Sequence, residues 1–517
     1  MQSFLQRMGS KIKGTLSGFD RVRFRGTIRW LSSVRGMGAY LGTMRILLKD
    51  FTDWGKARTA EIEIATQTLA EKAKRPMIYL ASSNTRKETL ALDIARDDKV
   101  TEGLIAIFKC VEPCWSFKVG PNAETKKLEL RYVPSKCSHL YFYQLDPQLG
   151  LIHLRLQMWA PFSIHVCMNG RDWLSRTFQR EGIGFQQRDN CFVDIDDLTR
   201  AQELASLQLQ TNWSEMLDGL VRRFHPAHQT MFATRPLDYY WSAEETEWAT
   251  DVMFRSPKAL ASVYPNLLRH GITTFGSSDV LRFLGQFPIV RSADREIISS
   301  IKKRPEGTRI KHTSGRNSIK MYDKQQSVLR VETTINDARD LKVFRSKEGD
   351  PNGKKSWRTL RKGVADLHRR AEVSQKSNER YLEAMASVEH DQPLGATVQP
   401  ICKPTEFKGR RVRALQPLNP DDSLLLATVI RGEFALNGFR NRDLRPLLFD
   451  DVETPPAEAK RQASKITRLL RMLRGHGLIQ KVPKTHRYIL TATGRETITA
   501  IQTAKQTSTQ KLSKLAV

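Results

Sequence analysis

The stretch Ala457–Leu490, AEAKRQASKITRLLRMLRGHGLIQKVPKTHRYIL, decides the reading of the C-terminal part of the chain. Ile466, Leu469, Leu470 and Leu473 recur at the spacing of one buried helix face. Arg461, Lys465 and Arg468 fall on a different face of the same helix. Pro455 and Pro456 precede it and Gly477 stops it. Leu478–Val482 and Arg487–Leu490 then predict two short strands around Pro483-Lys484-Thr485-His486. The pattern sets a basic loop tip beside a basic helix. Upstream, Asp421–Arg431 is an apolar run behind an acidic cap, and Gly438–Phe449 predicts a short second helix.

This order of elements, with Gly-Leu-Ile before the hairpin and Tyr-Ile-Leu-Thr leading to Gly494, resembles bacterial winged-helix regulators of the MarR-like kind. The resemblance implies a winged helix-turn-helix over 421–505. Such a helix fits the major groove while the wing lies along phosphates. Arg461, Lys465, Arg468, Lys484 and Arg487 are then the DNA-binding residues. A winged helix used for protein contacts is the competing reading.

A formal charge of +29 over 517 residues predicts attraction to polyanions with steep salt dependence. No stretch has the length and apolarity of a spanning helix, and the first residues lack the apolar core of a secretory signal. Nucleic acid rather than membrane is the expected partner, and the cytoplasm, at the nucleoid, the expected place. Duplex DNA leads; single-stranded DNA and RNA stand behind it. Six cysteines make no disulfide framework. Cys110, Cys114, Cys137, Cys167 and Cys191 give only a weak zinc pattern, and buried free thiols are the expected state.

Residues 1–135 read as a mixed α/β region. Its strand Arg21–Trp30, RVRFRGTIRW, turns Val22, Phe24, Ile28 and Trp30 one way. Arg21, Arg23, Arg25 and Arg29 turn the other way and form a row of guanidiniums suited to a phosphate backbone. A solvated edge guarded by charge is the alternative. In the centre, Ile152, Leu154, Leu156 and Met158 share one strand face, with His153, Arg155 and Gln157 on the other. Tyr141, Tyr143 and His165 extend that second face toward a surface on which unpaired bases stack. An ordinary half-buried sheet is the preferred alternative.

Thr308–Asn336, TRIKHTSGRNSIKMYDKQQSVLRVETTIN, predicts an antiparallel hairpin. A three-residue loop, Gln325-Gln326-Ser327, sets Met321 opposite Val331, Lys320 opposite Glu332 and Tyr322 opposite Arg330. Tyrosine, lysine, arginine and glutamate then meet on one face. A tyrosine hydroxyl attacks phosphorus and holds a covalent DNA end. Lys320 and Arg330 offset the added negative charge. Glu332 is a ligand for Mg²⁺ or Mn²⁺, with Asp251 or Glu247 supplying a second carboxylate. The strand with Tyr-Asp-Lys, the turn, and Leu-Arg-Val-Glu resemble rolling-circle replication initiators of plasmids and filamentous phages. That resemblance implies metal-assisted nicking through Tyr322. The paired-histidine metal motif of many nicking enzymes is absent, because His225-Pro-Ala-His228 has the wrong spacing. The structural alternative is a cross-strand ion pair, Lys320–Glu332, with Tyr322 stacked on Arg330.

The expected architecture is an α+β multidomain chain. It comprises a mixed α/β region (1–135), a central β-sheet domain with helices (136–390), a Pro-rich basic linker (391–420), a winged helix (421–505) and a polar tail (506–517). Competing functions are a non-enzymatic transcriptional regulator and an RNA-binding protein.

Overall fold

The computed structural model describes residues 1–286, 296–304, 307–347, 349–350, 352–386, 394–431, 434, 438–449, 455–483 and 485–508. The chain divides into two compact units. The larger comprises residues 8–262 and 283–381; the smaller comprises 1–7, 263–282 and 382–517. Both are discontinuous, so the expected contiguous division into 1–135 and 136–390 is not what the chain forms.

The larger unit carries β1 (Ile12–Ile28), β2 (Met77–Tyr79), β3 (Gly103–Pro121), β4 (Leu128–Asp146), β5 (Gly150–Gln157), β6 (Ile164–Asn169), β7 (Phe185–Gln187), β8 (Phe192–Ile195), β9 (Tyr239–Phe254), β10 (Ile297–Arg304), β11 (Gly307–Ser314), β12 (Asn317–Lys324) and β13 (Val328–Ile335). Eleven of these make one sheet in the order β10-β11-β12-β13-β9-β1-β6-β5-β4-β3-β2, with β7 and β8 paired apart. Every neighbouring pair of the large sheet is antiparallel except β2 with β3. The basic strand β1 lies in the middle of the sheet, between β9 and β6. It is therefore no guarded edge, and it joins the N-terminal region and the centre into one sheet. A strand with one fully apolar face and two hydrogen-bonding edges is most stable where both edges are paired.

The apolar face of the sheet buries Phe19, Val22, Phe24, Ile28, Leu154, Leu156, Val166 and Trp248. Trp213, Leu217, Leu220 and Phe224 of helix Trp213–Phe224 pack into the same core. Two expectations for β1 fail at its end. The strand stops at Ile28, so Arg29 leaves the guanidinium row and lies over the Tyr240 ring at 3.8 Å. Trp30 is exposed and covered by Arg235 at 4.1 Å instead of joining the core.

The opposite face is polar, and two groups of helices partly cover it. Helix Lys87–Asp97 packs Ala91 and Ala95 against Phe108 and Tyr143. Helices Gly170–Glu181 and Leu198–Leu207 pack Leu174, Phe178 and Leu204 against Leu16, Met253 and Val328. The sheet face between them is left open as a cleft.

The hairpin register matches its expectation. Lys320 faces Glu332, Met321 faces Val331 and Tyr322 faces Arg330, around a loop of Gln325, Gln326 and Ser327. No glycine supplies the left-handed turn. Gln325 and Gln326 themselves take φ of 56° and 62°.

In the smaller unit, helices run over Pro420–Val429, Asn441–Leu448, Pro456–Gly475 and Ala492–Gln506. Each of the first three lies within a few residues of its expected span. Ile466, Leu470 and Leu473 are buried, as their spacing predicts, and Gly477 has φ of 70°. With β14 (Lys342–Arg345) and β15 (Ser356–Thr359) in the larger unit, the remaining ribbons are β16 (Thr405–Phe407) with β17 (Arg410–Val412) and β18 (Ile479–Lys481) with β19 (Tyr488–Leu490). Phe439 adds to the last ribbon through two backbone hydrogen bonds with Tyr488, of 2.9 and 2.8 Å. The expected linker 391–420 is folded where it is described. Ile401, Val412 and Leu415 are buried in the same core as Leu425 and Leu470. Its prolines break helices, but its apolar residues find partners.

No helix among the described residues is long and apolar enough to cross a membrane.

Candidate functional site: a carboxylate cluster on the open sheet face

Four adjacent strands supply the floor of the cleft. β12 brings Lys320 and Tyr322, β13 brings Glu332, β9 brings Glu247, and β1 brings Asp20 and Arg21, while Arg330 of β13 and Asp251 of β9 lie below them. Asp20 owes its place to a bulge. The β1–β9 register shifts between Phe19 and Arg21, which turns Asp20 and Arg21 to the same side. The cleft has a volume of about 780 Å³. Its walls come from Glu88 and Leu92 on one helix and Asp172 and Arg176 on another, with Arg309 beyond Tyr322.

Asp20, Glu247 and Glu332 converge there, with ligand oxygens all within 4.8 Å of one another. The Lys320 ammonium donates to Glu247 at 3.0 Å and to Glu332 at 2.6 Å. Tyr322 donates its hydroxyl to the other Glu332 oxygen at 2.7 Å. The Arg21 guanidinium approaches Glu247 at 3.4 Å from the rim.

A second layer lies beneath. Arg330 donates from Nε and Nη2 to the two Asp251 oxygens at 2.6 and 2.9 Å, from Nη1 to Asp20 at 2.8 Å, and from Nη2 to the Asn190 carbonyl at 2.8 Å. Arg171 reaches Asp251 at 3.0 Å. Both guanidiniums and Asp251 are fully buried. This layer corrects two expectations. Arg330 does not face the cleft and is not placed to hold a phosphate, because its donors are spent on Asp251, Asp20 and Asn190. Asp251 is no metal ligand, because two guanidiniums saturate it. Asp20, absent from the expected set, takes its position, and Glu247 is the second carboxylate.

Burial and neighbouring charge set the protonation of this group. Burial pushes the Asp20 carboxyl up, against the pull of Arg330. Burial and the nearby Glu332 charge push Glu247 up as well. Glu332 is pushed upward by its burial too, but the Lys320 charge and the hydrogen bonds from Lys320 and Tyr322 prevail and hold it at about 2. Burial and the Glu332 charge keep the Tyr322 hydroxyl protonated well above the usual phenol range. The cluster thus joins one firmly ionised carboxylate, two reluctant ones, one ammonium and one protonated phenol.

The guanidinium row lies on the same face of the sheet, but it is not bare. Arg21 pairs with Glu245 at 3.3 Å, and Arg23 pairs with Glu244 at 3.1 Å and Glu245 at 3.8 Å. Arg25 lies opposite His165 and Ser242. The aromatic surface is closed rather than open. Tyr143 is buried under helix Lys87–Asp97 and stacks on His153 at 5.0 Å. The Tyr141 hydroxyl donates to Glu112, which also takes Arg155 and Lys87. His225 and His228 pack their rings 5.6 Å apart, with His228 stacked on Tyr239, and hold no converging ligands. The six cysteines are free thiols, and none joins a three-ligand cluster among the described residues.

In the smaller unit, Arg461, Lys465 and Arg468 are exposed on one helix, with Arg461 paired to Glu458 at 2.9 Å. Arg487 precedes β19; Lys484 lies outside the described residues.

Comparison with protein-family models, curated proteins and solved structures finds no match to this chain. The functional reading therefore rests on the geometry alone.

Proposed function

We propose that this chain is a nucleic-acid-binding protein of a plasmid or mobile element that nicks a DNA strand on the open sheet face. The observation that carries the chemistry is the convergence of Asp20, Glu247 and Glu332 within 4.8 Å at the floor of a cleft, with the Tyr322 hydroxyl 2.7 Å from Glu332. Three carboxylates from three strands make a hard oxygen donor set, which suits Mg²⁺ or Mn²⁺. A divalent ion held by them would polarise a phosphodiester oxygen. Tyr322 is the nucleophile in this reading. Its oxygen forms a bond to phosphorus and releases its proton toward the departing oxygen, since Glu332, held at about 2, is too weak a base to keep it. The bond to the 3′ oxygen breaks, and that oxygen takes the proton up, leaving a 5′ phosphotyrosine. Arg176 and Arg309 at the cleft wall attract the strand.

The smaller unit is the addressing module in this reading. Helices Pro420–Val429, Asn441–Leu448 and the basic Pro456–Gly475, followed by a ribbon that Phe439 extends, support reading it as a winged helix-turn-helix. Changing Arg461, Lys465 and Arg468 together to alanine is expected to weaken duplex binding at every sequence tested. The slope of log affinity against log salt should fall by about 0.9 for each phosphate that the variant no longer neutralises. Unchanged affinity and slope in a binding titration over several salt concentrations would remove this helix from the interface.

The nicking reading is tested with supercoiled plasmid and Mn²⁺. Relaxed circles carrying protein on their 5′ ends are expected from the parent, and none from Tyr322→Phe. Equal relaxation by parent and variant would exclude Tyr322 as the nucleophile. Tyr322→Phe removes one hydroxyl and keeps the ring, so its fold is expected to be intact by circular dichroism.

A further inference from the structure

The ribbon β14–β15 leaves two large aromatic rings in solvent. Phe344 is 58% and Trp357 69% exposed, and the two residues are direct cross-strand partners. Their ring centroids are 5.8 Å apart. The other side of the ribbon is anchored. Val343 packs with Ile335, Ala338, Leu341 and Leu360 in a small core, and the Leu360 amide donates to the Leu341 carbonyl at 2.9 Å. The outward direction of the rings is therefore fixed by the register of a braced ribbon. A single exposed aromatic needs no explanation, but a paired one on a rigid mount is a binding feature.

The surrounding charge selects the partner. Residues 342–362 hold eight lysines and arginines against two acidic residues. Lys342 in β14, and Lys347, Lys354 and Lys355 in the connection between the two strands, are exposed. Planar rings on a ribbon rich in exposed lysines suit a ligand that offers flat π-faces and phosphates together. In a duplex the base faces are already stacked on one another, so only an unpaired strand offers them. We propose that the β14–β15 ribbon is a stacking platform for the bases of single-stranded nucleic acid, with Phe344 and Trp357 as the stacking rings. The inference rests on the nucleic-acid reading above, but not on nicking or on the carboxylate cluster.

The test compares three labelled ligands with the full-length protein by fluorescence anisotropy: a short oligo(dT), an abasic strand of the same length and charge, and a duplex. The parent is expected to prefer oligo(dT) over the abasic strand. Trp357→Ala should weaken oligo(dT) binding about tenfold, and the double change Phe344→Ala, Trp357→Ala further, toward the abasic affinity. Abasic and duplex affinities should stay unchanged. Trp357→Tyr should restore most of the preference, and Trp357→Leu, which keeps apolar bulk without a π-face, should not. Equal losses on all three ligands, or no loss on any, would overturn the proposal. So would rings that bury themselves in a second copy, seen as a dimer in sedimentation that Trp357→Ala dissolves. Nicking and duplex binding on the same samples separate failure of this site from failure of the wider reading.

Discussion

Arg330→Met is expected to destabilise the larger unit by about 3–5 kcal/mol, the usual cost of breaking a buried ion pair from one side. Arg330 is fully buried and holds four acceptors on three residues: both oxygens of Asp251, one of Asp20 and the Asn190 carbonyl. Without it Asp251 keeps only Arg171, and Asp20 keeps only the Asn190 amide among these partners. Two buried carboxylates would then be short of positive charge. Arg330→Lys should recover little, because a point charge cannot span Asp251 and Asp20 together. The measurement is urea unfolding followed by tryptophan fluorescence. All nine tryptophans lie between Trp30 and Trp357, in the larger unit, so the signal reports that unit alone. The double change Arg330→Met, Asp251→Leu should cost clearly less than the sum of the two single changes, because each single change strands the other's charge. A loss below about 1 kcal/mol for Arg330→Met would mean that water reaches this layer and screens it.

This buried layer is also where the sequence was least legible. The hairpin register followed from local alternation, because a one-residue slip would have turned Met321 and Val331 out of the core. Lys320, Tyr322 and Glu332 were brought together for that reason. Which carboxylates joined them depended on β9 and β1, whose partners lie more than two hundred residues apart in the chain, from Ile28–Tyr239 to Ile12–Phe254. Asp251 sits on the right strand and the right face, but one step deeper, where Arg330 and Arg171 claim it. Asp20 was hidden by a bulge, which no alternation pattern announces. Its only trace is an acidic residue directly before the arginine row. That row carries a similar lesson. Arg21 and Arg23 on β1 and Glu244, Glu245 and Glu247 on β9 are both plain in the sequence. Their pairing across the sheet turns an apparent phosphate track into a largely neutralised surface. The C-terminal helices were legible because their caps, glycine stop and apolar spacing are all local.

The strongest test of the carboxylate cluster is Lys320→Met, which should make the stability of the larger unit depend on divalent cation. Lys320 is the ammonium that bridges Glu247 and Glu332 in this structure. It competes with any divalent ion for the same oxygens. Removing it leaves Asp20, Glu247 and Glu332 with less positive charge and room between them for a cation. Without metal the variant should unfold well below the parent. With Mn²⁺ at about a hundred times its dissociation constant, about 2.7 kcal/mol should return. The parent should gain less, because its own ammonium must first be displaced. The pH dependence has a definite sign. Asp20 and Glu247 have folded pKa values above their unfolded ones, so each costs stability while ionised at neutral pH. That cost fades as pH falls and they take up protons, and a bound cation relieves it without protonation. Since metal binding must expel those protons, the Mn²⁺-induced rise in midpoint should shrink as pH falls into the range where Glu247 and Asp20 protonate. The readout is again tryptophan fluorescence and needs no DNA or catalysis. A variant whose midpoint ignores Mn²⁺ at every pH would establish the trio as a structural ion-pair network with Lys320 as its permanent counter-ion, and the metal-dependent reading of the cleft would fall with it.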